Sequence, residues 1–129
     1  MIAGIEHLRV IRTSENTVWR MGGSDLERQI KQDIANGFTP LFVCATVGTT
    51  SSAAVDPVGE IGSIGQRYGL WVHVDAAYAG AALACTENRY LVKGLVGGMQ
   101  RLSAPARGIR HWSRATTASI CRTCATRST

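Results

Sequence analysis

Hydrophobic positions along the first 98 residues alternate between short apolar runs and stretches with helical spacing. The alternating residues 8–12 predict a strand. Ser24 is a typical helix N-cap, and Glu27 stands at the capping-box position that follows it. The predicted helix has three apolar residues on one face, namely Leu26, Ile30 and Ile34. Asn36 and Gly37 supply its stop signal.

Two apolar runs without alternation, residues 41–47 and 70–75, favour strands that are covered on both faces, as in a parallel sheet. Between them, Asp56 is a good N-cap, and Pro57 suits the first turn of a helix that ends at Gly69. This order of strands and helices predicts an α/β fold with parallel strands joined by right-handed crossovers.

Charge is distributed unequally along the chain. The formal net charge is +5, yet residues 1–98 carry a net charge of −1, and residues 99–129 contain six arginines and no acidic residue. A last helix is predicted over residues 87–96, and beyond it no periodicity predicts a strand or a helix. We therefore predict a domain over residues 1–98 and a disordered Arg/Ser/Thr-rich tail over residues 99–129.

Composition excludes several classes of protein. Hydrophobic residues make up 45% and charged residues 18% of the chain, which is a globular balance. No apolar run reaches the roughly 18–20 residues that a membrane helix requires. The first residues, MIAGIE, lack the basic and apolar regions of a secretory signal. The four cysteines are therefore expected as reduced thiols, and we expect a cytoplasmic protein.

Candidate chemical groups cluster where the two apolar runs end. In a parallel α/β sheet, ligands bind beyond the carboxyl ends of the strands. Asp75 closes the second run, and a carboxylate there is costly to desolvate unless it meets a cation or several donors. It can cap the next helix, or it can face the positive group of a ligand, for which the small Ala76 and Ala77 leave room.

Three stretches carry a resemblance to a known family: LFVCATVGTTSS at residues 41–52, VDP at 55–57 and WVHVDAAYAG at 71–80. They closely resemble the pyridoxal-phosphate-dependent group II decarboxylases of aromatic amino acids, and the plant tyrosine/tryptophan decarboxylases more than the animal enzymes. The resemblance covers about residues 2–96. It implies part of a large domain of the aspartate-aminotransferase type (fold type I), pyridoxal 5'-phosphate as cofactor, an aromatic L-amino acid as substrate and a homodimer.

The same resemblance implies roles for four residues. Asp75 matches the aspartate that keeps the pyridine nitrogen of the cofactor protonated, so that the ring accepts the electrons left when CO2 departs. Ala77 matches the small residue beneath the ring, and Thr50 matches a threonine of the cofactor pocket. His73 lies on the same side of the strand as Asp75, where it orients that carboxylate or is a buried structural histidine. Asp56 is a further pocket candidate, although we favour the N-cap role.

The resemblance also implies a lysine that holds the cofactor as a Schiff base, in an Asn/Pro-His-Lys-Trp motif after the aspartate. The chain contains only Lys31 and Lys93, and neither lies in that context. The corresponding residues 103–108 are SAPARG, and an arginine cannot replace the lysine because its guanidinium stays protonated. We therefore expect no catalytic residue, no tight cofactor binding and no activity of the chain alone. The alternative is a non-catalytic fragment that associates with an intact paralogue.

The tail contains two further motifs. Cys121 and Cys124 form a CxxC pair, which supplies half of a zinc site or a redox pair; incidental thiols are the favoured interpretation, and we predict no metal site. The arginines, with His111 and Trp112, suit non-specific binding to polyanions, and we predict no specific nucleic-acid site. The abrupt loss of resemblance near Gly97 leads to the hypothesis that the tail is translated from a shifted reading frame or a retained intron.

Overall fold

Helices and strands alternate along the computed structural model, which describes residues 7–94, 100–103 and 125–127. Helix α1 spans Gly23–Ala35, and helix α2 spans Val58–Tyr68. The strands in these ranges are β1 Phe38–Pro40, β2 Phe42–Thr46, β3 Trp71–Asp75, β4 Gln100–Ser103 and β5 Ala125–Arg127. Short 3-10 helices cover Glu15–Thr17, Gly80–Ala84 and Thr86–Val92.

Strands β2, β3 and β4 form a parallel sheet in that order. Phe42 pairs in register with Trp71, and Thr46 pairs with Asp75, so that β2 and β3 end at the same edge of the sheet. β4 lies parallel to β3 on its other side, with Ser103 opposite Asp75. β1 pairs separately with β5 in the antiparallel sense. The predicted α/β fold with parallel strands is confirmed.

One face of the β2–β3 sheet packs against α2 and forms the centre of the core. Its residues are at most 2% exposed, and they are Val43, Ala45, Val72 and Val74. From α2, Ile61 is fully buried in the same cluster. Gly65 lies so close to the sheet that any side chain there would collide with Val72. The absence of a Cβ at Gly65 therefore allows the close approach of helix and strand.

Helix α1 differs from its prediction at its start and on its buried face. It begins before Ser24, because the Gly22 carbonyl already accepts a hydrogen bond from the Leu26 N–H at 3.0 Å. The predicted N-cap role of Ser24 is therefore wrong. Ile34, predicted on the apolar face, is 48% exposed, whereas Asp33 is 4% exposed.

Glu27 joins the two helices instead of closing a capping box. Its Oε1 accepts hydrogen bonds from the Tyr68 hydroxyl at 2.9 Å and from Arg67 Nη1 at 2.8 Å, both at the end of α2. The bond from Tyr68 lowers the pKa of Glu27, with Lys31 and Arg67 acting in the same direction. Glu27, which the sequence pattern places in a capping box at the start of α1, thus belongs to the contact between α1 and α2.

Asp33 is buried because it is paired. Arg9 Nε donates to Asp33 Oδ1 at 2.9 Å, and Gln29 Nε2 donates to the same oxygen at 3.3 Å. The Arg9 guanidinium also lies over the Phe38 ring, 5.2 Å from its centroid. These contacts anchor residues 8–12 without a β-ladder, and the strand predicted there is wrong.

Two further helix predictions need correction. The N-cap of α2 is Pro57, with no capping side chain, so the favoured N-cap role of Asp56 is wrong. In place of the helix predicted over residues 87–96 there is a 3-10 helix that ends at Val92, and residues 95–96 lie outside the described ranges. No helix within the described ranges combines the length and the apolar character needed to cross a bilayer.

The prediction that residues 99–129 contain no strand is wrong for β4 and β5. Both strands are too short to display a period, and each is supported by pairing with a distant strand, β3 or β1. The other tail residues that the sequence singles out, Cys121, Cys124, His111 and Trp112, lie outside the described residues, as do residues 104–108. The division at residue 98 and the disorder of the remaining tail stay predictions.

Replacing Ile61 by alanine is expected to lower the free energy of unfolding by about 2–5 kcal/mol, because the change leaves a cavity between α2 and the sheet. Ile34→Ala is the matched control, since the same side chain is removed at an exposed position of α1. We expect a change within about 0.5 kcal/mol for the control. Urea denaturation followed by circular dichroism measures both, and equal losses would contradict this packing.

Candidate functional site

The second face of the β2–β3 sheet carries a row of polar side chains. Because residues paired in a parallel ladder point to the same face, Cys44 lies beside His73, and Thr46 lies beside Asp75. All four are half-buried. The Phe42 ring stacks on the His73 imidazole, with centroids 6.1 Å apart and planes inclined by 21°. The polar and titratable side chains of the two strands therefore lie on the sheet face opposite α2.

Asp75 stands at the carboxyl end of β3. Its Oδ1 accepts a hydrogen bond from the Ala77 N–H at 2.9 Å, which restrains the carboxylate. Within the described residues, Oδ2 has no hydrogen-bond or ion-pair partner. The next helix begins at Gly80 with Ala79 as its N-cap, so Asp75 does not cap it. Asp75 instead caps the turn over residues 77–79 through this hydrogen bond, and its role toward a ligand stays a prediction.

The loops that follow β2 and β3 touch each other at Gly48. Its φ of +77° lies in the left-handed region that favours glycine, and any side chain there would collide with the Cβ of Ala79. The turn over residues 49–53 leaves Thr50 exposed. No hydrogen bond joins Thr50 to Asp75 within the described residues. The structure thus brings the two loops together, but not these two side chains.

Three of the four candidate residues form one group. Ala77 is hydrogen-bonded to Asp75, and His73 lies on the same sheet face two positions earlier. Thr50 belongs to the neighbouring loop and is exposed. The roles that the family resemblance implies for all four stay predictions.

The sequence does not single out two further neighbours of Asp75. Ser103 occupies the register position opposite Asp75 at the end of β4, so that three strands end side by side. Cys44 lies on the Asp75 face of β2, two positions before Thr46. Alternation within the apolar run 41–47 would identify Cys44 once the face of Asp75 is known, whereas no local signal identifies β4.

Asp56 joins two backbone segments beside this edge of the sheet. Its Oδ1 accepts from the Met21 N–H at 2.8 Å, and its Oδ2 accepts from the Thr46 N–H at 2.7 Å. The Asp56 N–H in turn donates to the Thr46 carbonyl at 2.9 Å. Both carboxylate oxygens are therefore engaged by backbone, and Asp56 ties the end of β2 to the segment before α1.

The pKa of the Cys44 thiol depends on burial and on the acidic groups at this edge. Burial raises the pKa of Cys44, and the carboxylates of Asp75 and Asp56 raise it further. A higher pKa leaves less thiolate at neutral pH, so Cys44 is expected to be a slow nucleophile. Within the described residues, no group of three or more His, Cys, Asp or Glu side chains forms a metal site.

The carboxyl edge of a parallel α/β sheet is where domains of this class bind their ligands. The model of the pyridoxal-dependent decarboxylase conserved domain matches residues 1–97, and the chain belongs to this family. Tyrosine decarboxylase 2 of Arabidopsis thaliana is 50% identical over 97 residues, which cover 74% of this chain and 18% of that protein. The chain therefore spans about a fifth of the length of such relatives. The family expected from the sequence motifs is confirmed.

Solved structures agree with this assignment. Catharanthus roseus tryptophan decarboxylase in complex with L-tryptophan has a TM-score of 0.65 and 44% identity, over 67% of this chain and 18% of that one. Oryza sativa TDC with PLP has a TM-score of 0.71 and 36% identity, over 91% of this chain and 23% of that one. The fold expected from the resemblance is confirmed, and pyridoxal phosphate is the family's cofactor.

The residues at the carboxyl edge fit that cofactor on the side of its ring nitrogen. Asp75 Oδ2 has no partner within the described residues, and it is the kind of acceptor that a protonated ring nitrogen requires. Half-burial keeps such a charge pair from being fully screened by water. The methyl side chain of Ala77, the neighbour that restrains Asp75, leaves room for a flat ring.

Replacing Asp75 by asparagine is expected to speed the alkylation of Cys44 at neutral pH, because removing the carboxylate charge lowers the pKa of the thiol and leaves more thiolate. Asparagine retains an oxygen that accepts from the Ala77 N–H. The rates are measured with iodoacetamide by peptide mass spectrometry, which separates the four cysteines.

Two controls accompany this measurement. The rate at the exposed Cys85 should be the same in both proteins. Asp25→Asn removes a carboxylate that pairs with Arg28 on α1, and it should leave the rate at Cys44 unchanged. An unchanged or slower rate at Cys44 in the Asp75 variant would contradict the proximity of the two groups.

Proposed function

We propose that the chain forms the ring-nitrogen side of the pyridoxal 5'-phosphate site of a decarboxylase that acts on aromatic L-amino acids. The observation that carries this proposal is the Asp75 carboxylate at the carboxyl end of β3, with Oδ1 held by Ala77 and Oδ2 without a partner within the described residues. Relatives named tyrosine decarboxylase and tryptophan decarboxylase support the choice of substrate class.

The chemistry required of Asp75 is to hold a proton on a ring nitrogen. The bound cofactor supplies the electron sink for the pair of electrons released with CO2. A carboxylate at hydrogen-bond distance keeps the nitrogen protonated, because the positive charge is stabilised by the negative one. The Ala77 N–H keeps the carboxylate from rotating, so that little ordering is needed when the ring binds.

The other candidate residues have supporting roles in this proposal. His73 lies between Asp75 and the Phe42 ring on the same face, where it packs the wall beside the carboxylate. Ala77 provides space for the ring. Thr50, on the loop that touches Ala79 through Gly48, would close the pocket from the side of β2.

We further propose that the chain is inactive alone. Lys31 lies exposed on α1, where its Nζ is 3.2 Å from Glu27 Oε1, and Lys93 is exposed after the 3-10 helix Thr86–Val92. Neither has a hydrogen bond or an ion pair with Asp75. A cytoplasmic location completes the proposal. The alternative function is that of a non-catalytic fragment which binds an intact paralogue.

Incubation with pyridoxal 5'-phosphate followed by borohydride is expected to leave no lysine stoichiometrically modified, because neither lysine faces Asp75. Peptide mass spectrometry locates any adduct, and Lys31→Arg and Lys93→Arg serve as matched controls. Amine formation from L-tyrosine, L-dopa and L-tryptophan is expected to be undetectable. A single stoichiometric adduct at one lysine, together with amine release, would show that the chain is a complete catalyst.

Asp75→Asn is expected to weaken the binding of pyridoxal 5'-phosphate by about tenfold or more, because a charge-assisted hydrogen bond contributes about 1.5–3 kcal/mol. Binding to the unmodified chain is itself expected to be weak, so equilibrium dialysis at high cofactor concentration is the measurement. Asp25→Asn, a change of the same type on α1, should bind as the unmodified chain does. Equal affinities for the two variants would overturn the role of Asp75.

A further inference from the structure

Asn36 and Gly37 form the exposed link between α1 and β1. Asn36 is the C-cap of α1, and Gly37 has a φ of +79°. Both residues are exposed. Within the described residues, no atom apart from the chain neighbours lies within 4 Å of the point where a side chain of Gly37 would begin. The stop signal of α1 is thus also an asparagine whose following residue has no side chain to shield its backbone nitrogen.

These two residues contain the five atoms of a succinimide ring. The Gly37 nitrogen can attack the side-chain carbonyl carbon of Asn36, because glycine has no Cβ to obstruct the approach. A bond forms between this nitrogen and Cγ, and the bond between Cγ and Nδ2 breaks. The proton lost by the Gly37 nitrogen leaves with the side-chain nitrogen as ammonia. Water then opens the ring at either carbonyl carbon, which gives aspartate or isoaspartate.

The folded geometry sets one condition for ring closure. At the Asn36 ψ of 8°, the Gly37 nitrogen eclipses the Asn36 nitrogen and is turned away from Cβ. The Gly37 N–H also donates to the Ile34 carbonyl at 3.0 Å. Rotation of this peptide plane into the ring therefore breaks that hydrogen bond. Gly37 takes up the compensating change in φ, since glycine adopts positive and negative values, so that α1 and β1 keep their places.

The hydrogen bond that has to open belongs to the exposed end of α1. Ile34 is 48% exposed, and Ala35 is exposed beside it. The Asn36 N–H is shared between the carbonyls of Gln32 and Asp33, both at 3.1 Å, as is common at helix termini. Opening such an end costs little free energy. The geometry of the last turn therefore slows ring closure without preventing it.

The other two asparagines of the chain lack this combination. Asn16 is exposed, but the β-branched Thr17 follows it and shields its own backbone nitrogen. Asn88 precedes Arg89, and its Nδ2 donates to the Ala82 carbonyl at 3.1 Å. Both serve as internal controls.

We propose that Asn36 is a site of spontaneous covalent modification, at which a succinimide forms with Gly37 and hydrolyses to isoaspartate or aspartate. Asparagine is one of the thermolabile residues of proteins. Isoaspartate carries the main chain through its Cβ and Cγ, which adds one backbone atom between α1 and β1. Both products place a carboxylate at the end of α1, where the helix dipole is negative. This inference depends neither on the role of Asp75 nor on cofactor binding.

The added backbone atom lies between two groups that Arg9 contacts together. Arg9 Nε donates to Asp33 on α1 at 2.9 Å, and its guanidinium lies over the Phe38 ring of β1, 5.2 Å from the centroid. Asn36 and Gly37 lie between these two partners in the sequence. Conversion to isoaspartate changes the spacing of Asp33 and Phe38, so it should loosen residues 8–12.

The site is tested by warming the purified chain in mildly alkaline buffer and digesting samples for peptide mass spectrometry. The peptide with Asn36 should gain the mass difference between a hydroxyl and an amino group, whereas the peptides with Asn16 and Asn88 stay unchanged. A carboxyl methyltransferase specific for isoaspartate, used as the probe, should label the same peptide. The rate should lie within about tenfold of the rate in urea, because the end of α1 opens at little cost.

Two variants separate the chemistry from its structural effect. Asn36→Gln should stay unmodified, because its longer side chain has to close a six-membered ring. Freshly purified Asn36→Asp has the new carboxylate without the extra backbone atom. Trypsin should therefore cleave after Arg9 faster in the isoaspartyl chain than in this variant, because local opening of residues 8–12 exposes the bond.

Three outcomes would overturn the proposal. Conversion of Asn36 in urea but not in the folded chain would show that the last turn of α1 prevents ring closure. Equal conversion of Asn16 would show that Gly37 does not direct the reaction. Equal cleavage after Arg9 in the isoaspartyl chain and in Asn36→Asp would show that the link does not set the spacing of Asp33 and Phe38.

Discussion

The in-register parallel pairing of β2 with β3 is the constraint on which the rest of the molecule depends. Because paired residues share a face, it separates a buried aliphatic side toward α2 from a half-buried side that carries Cys44, His73 and Asp75. The same register ends both strands together, so that the loops after them meet. A shift by one residue would exchange the two faces and would bury a carboxylate against Ile61.

Two sets of polar contacts hold together segments that are not joined by helices or strands. Asp56 joins the end of β2 to the segment before α1, and the Arg9–Asp33 pair holds residues 8–12 against α1 without a ladder. In both cases an acidic side chain is removed from water only where donors meet it.

The sequence pattern predicts well those elements whose supporting contacts come from residues nearby in the sequence. The apolar runs around Val43 and Val72 identify β2 and β3, since a strand covered on both faces has few polar positions. β4 and β5 are missed because their support comes from distant strands, and Asp33 is missed because its burial depends on Arg9, far away in the sequence. Asp75 is singled out by its position at a strand end and by the motif around it, whereas Cys44 becomes visible only when the register is known.

The contact between Gly48 and Ala79 restricts which side chains these two loops can carry. One position has no side chain and the other has the smallest one, and they already touch. A side chain at position 48 would require the two loops to separate or Ala79 to lose its methyl group, and the positive φ of Gly48 would strain it even then. The close approach of the loops after β2 and β3 therefore depends on a backbone position that has no side chain.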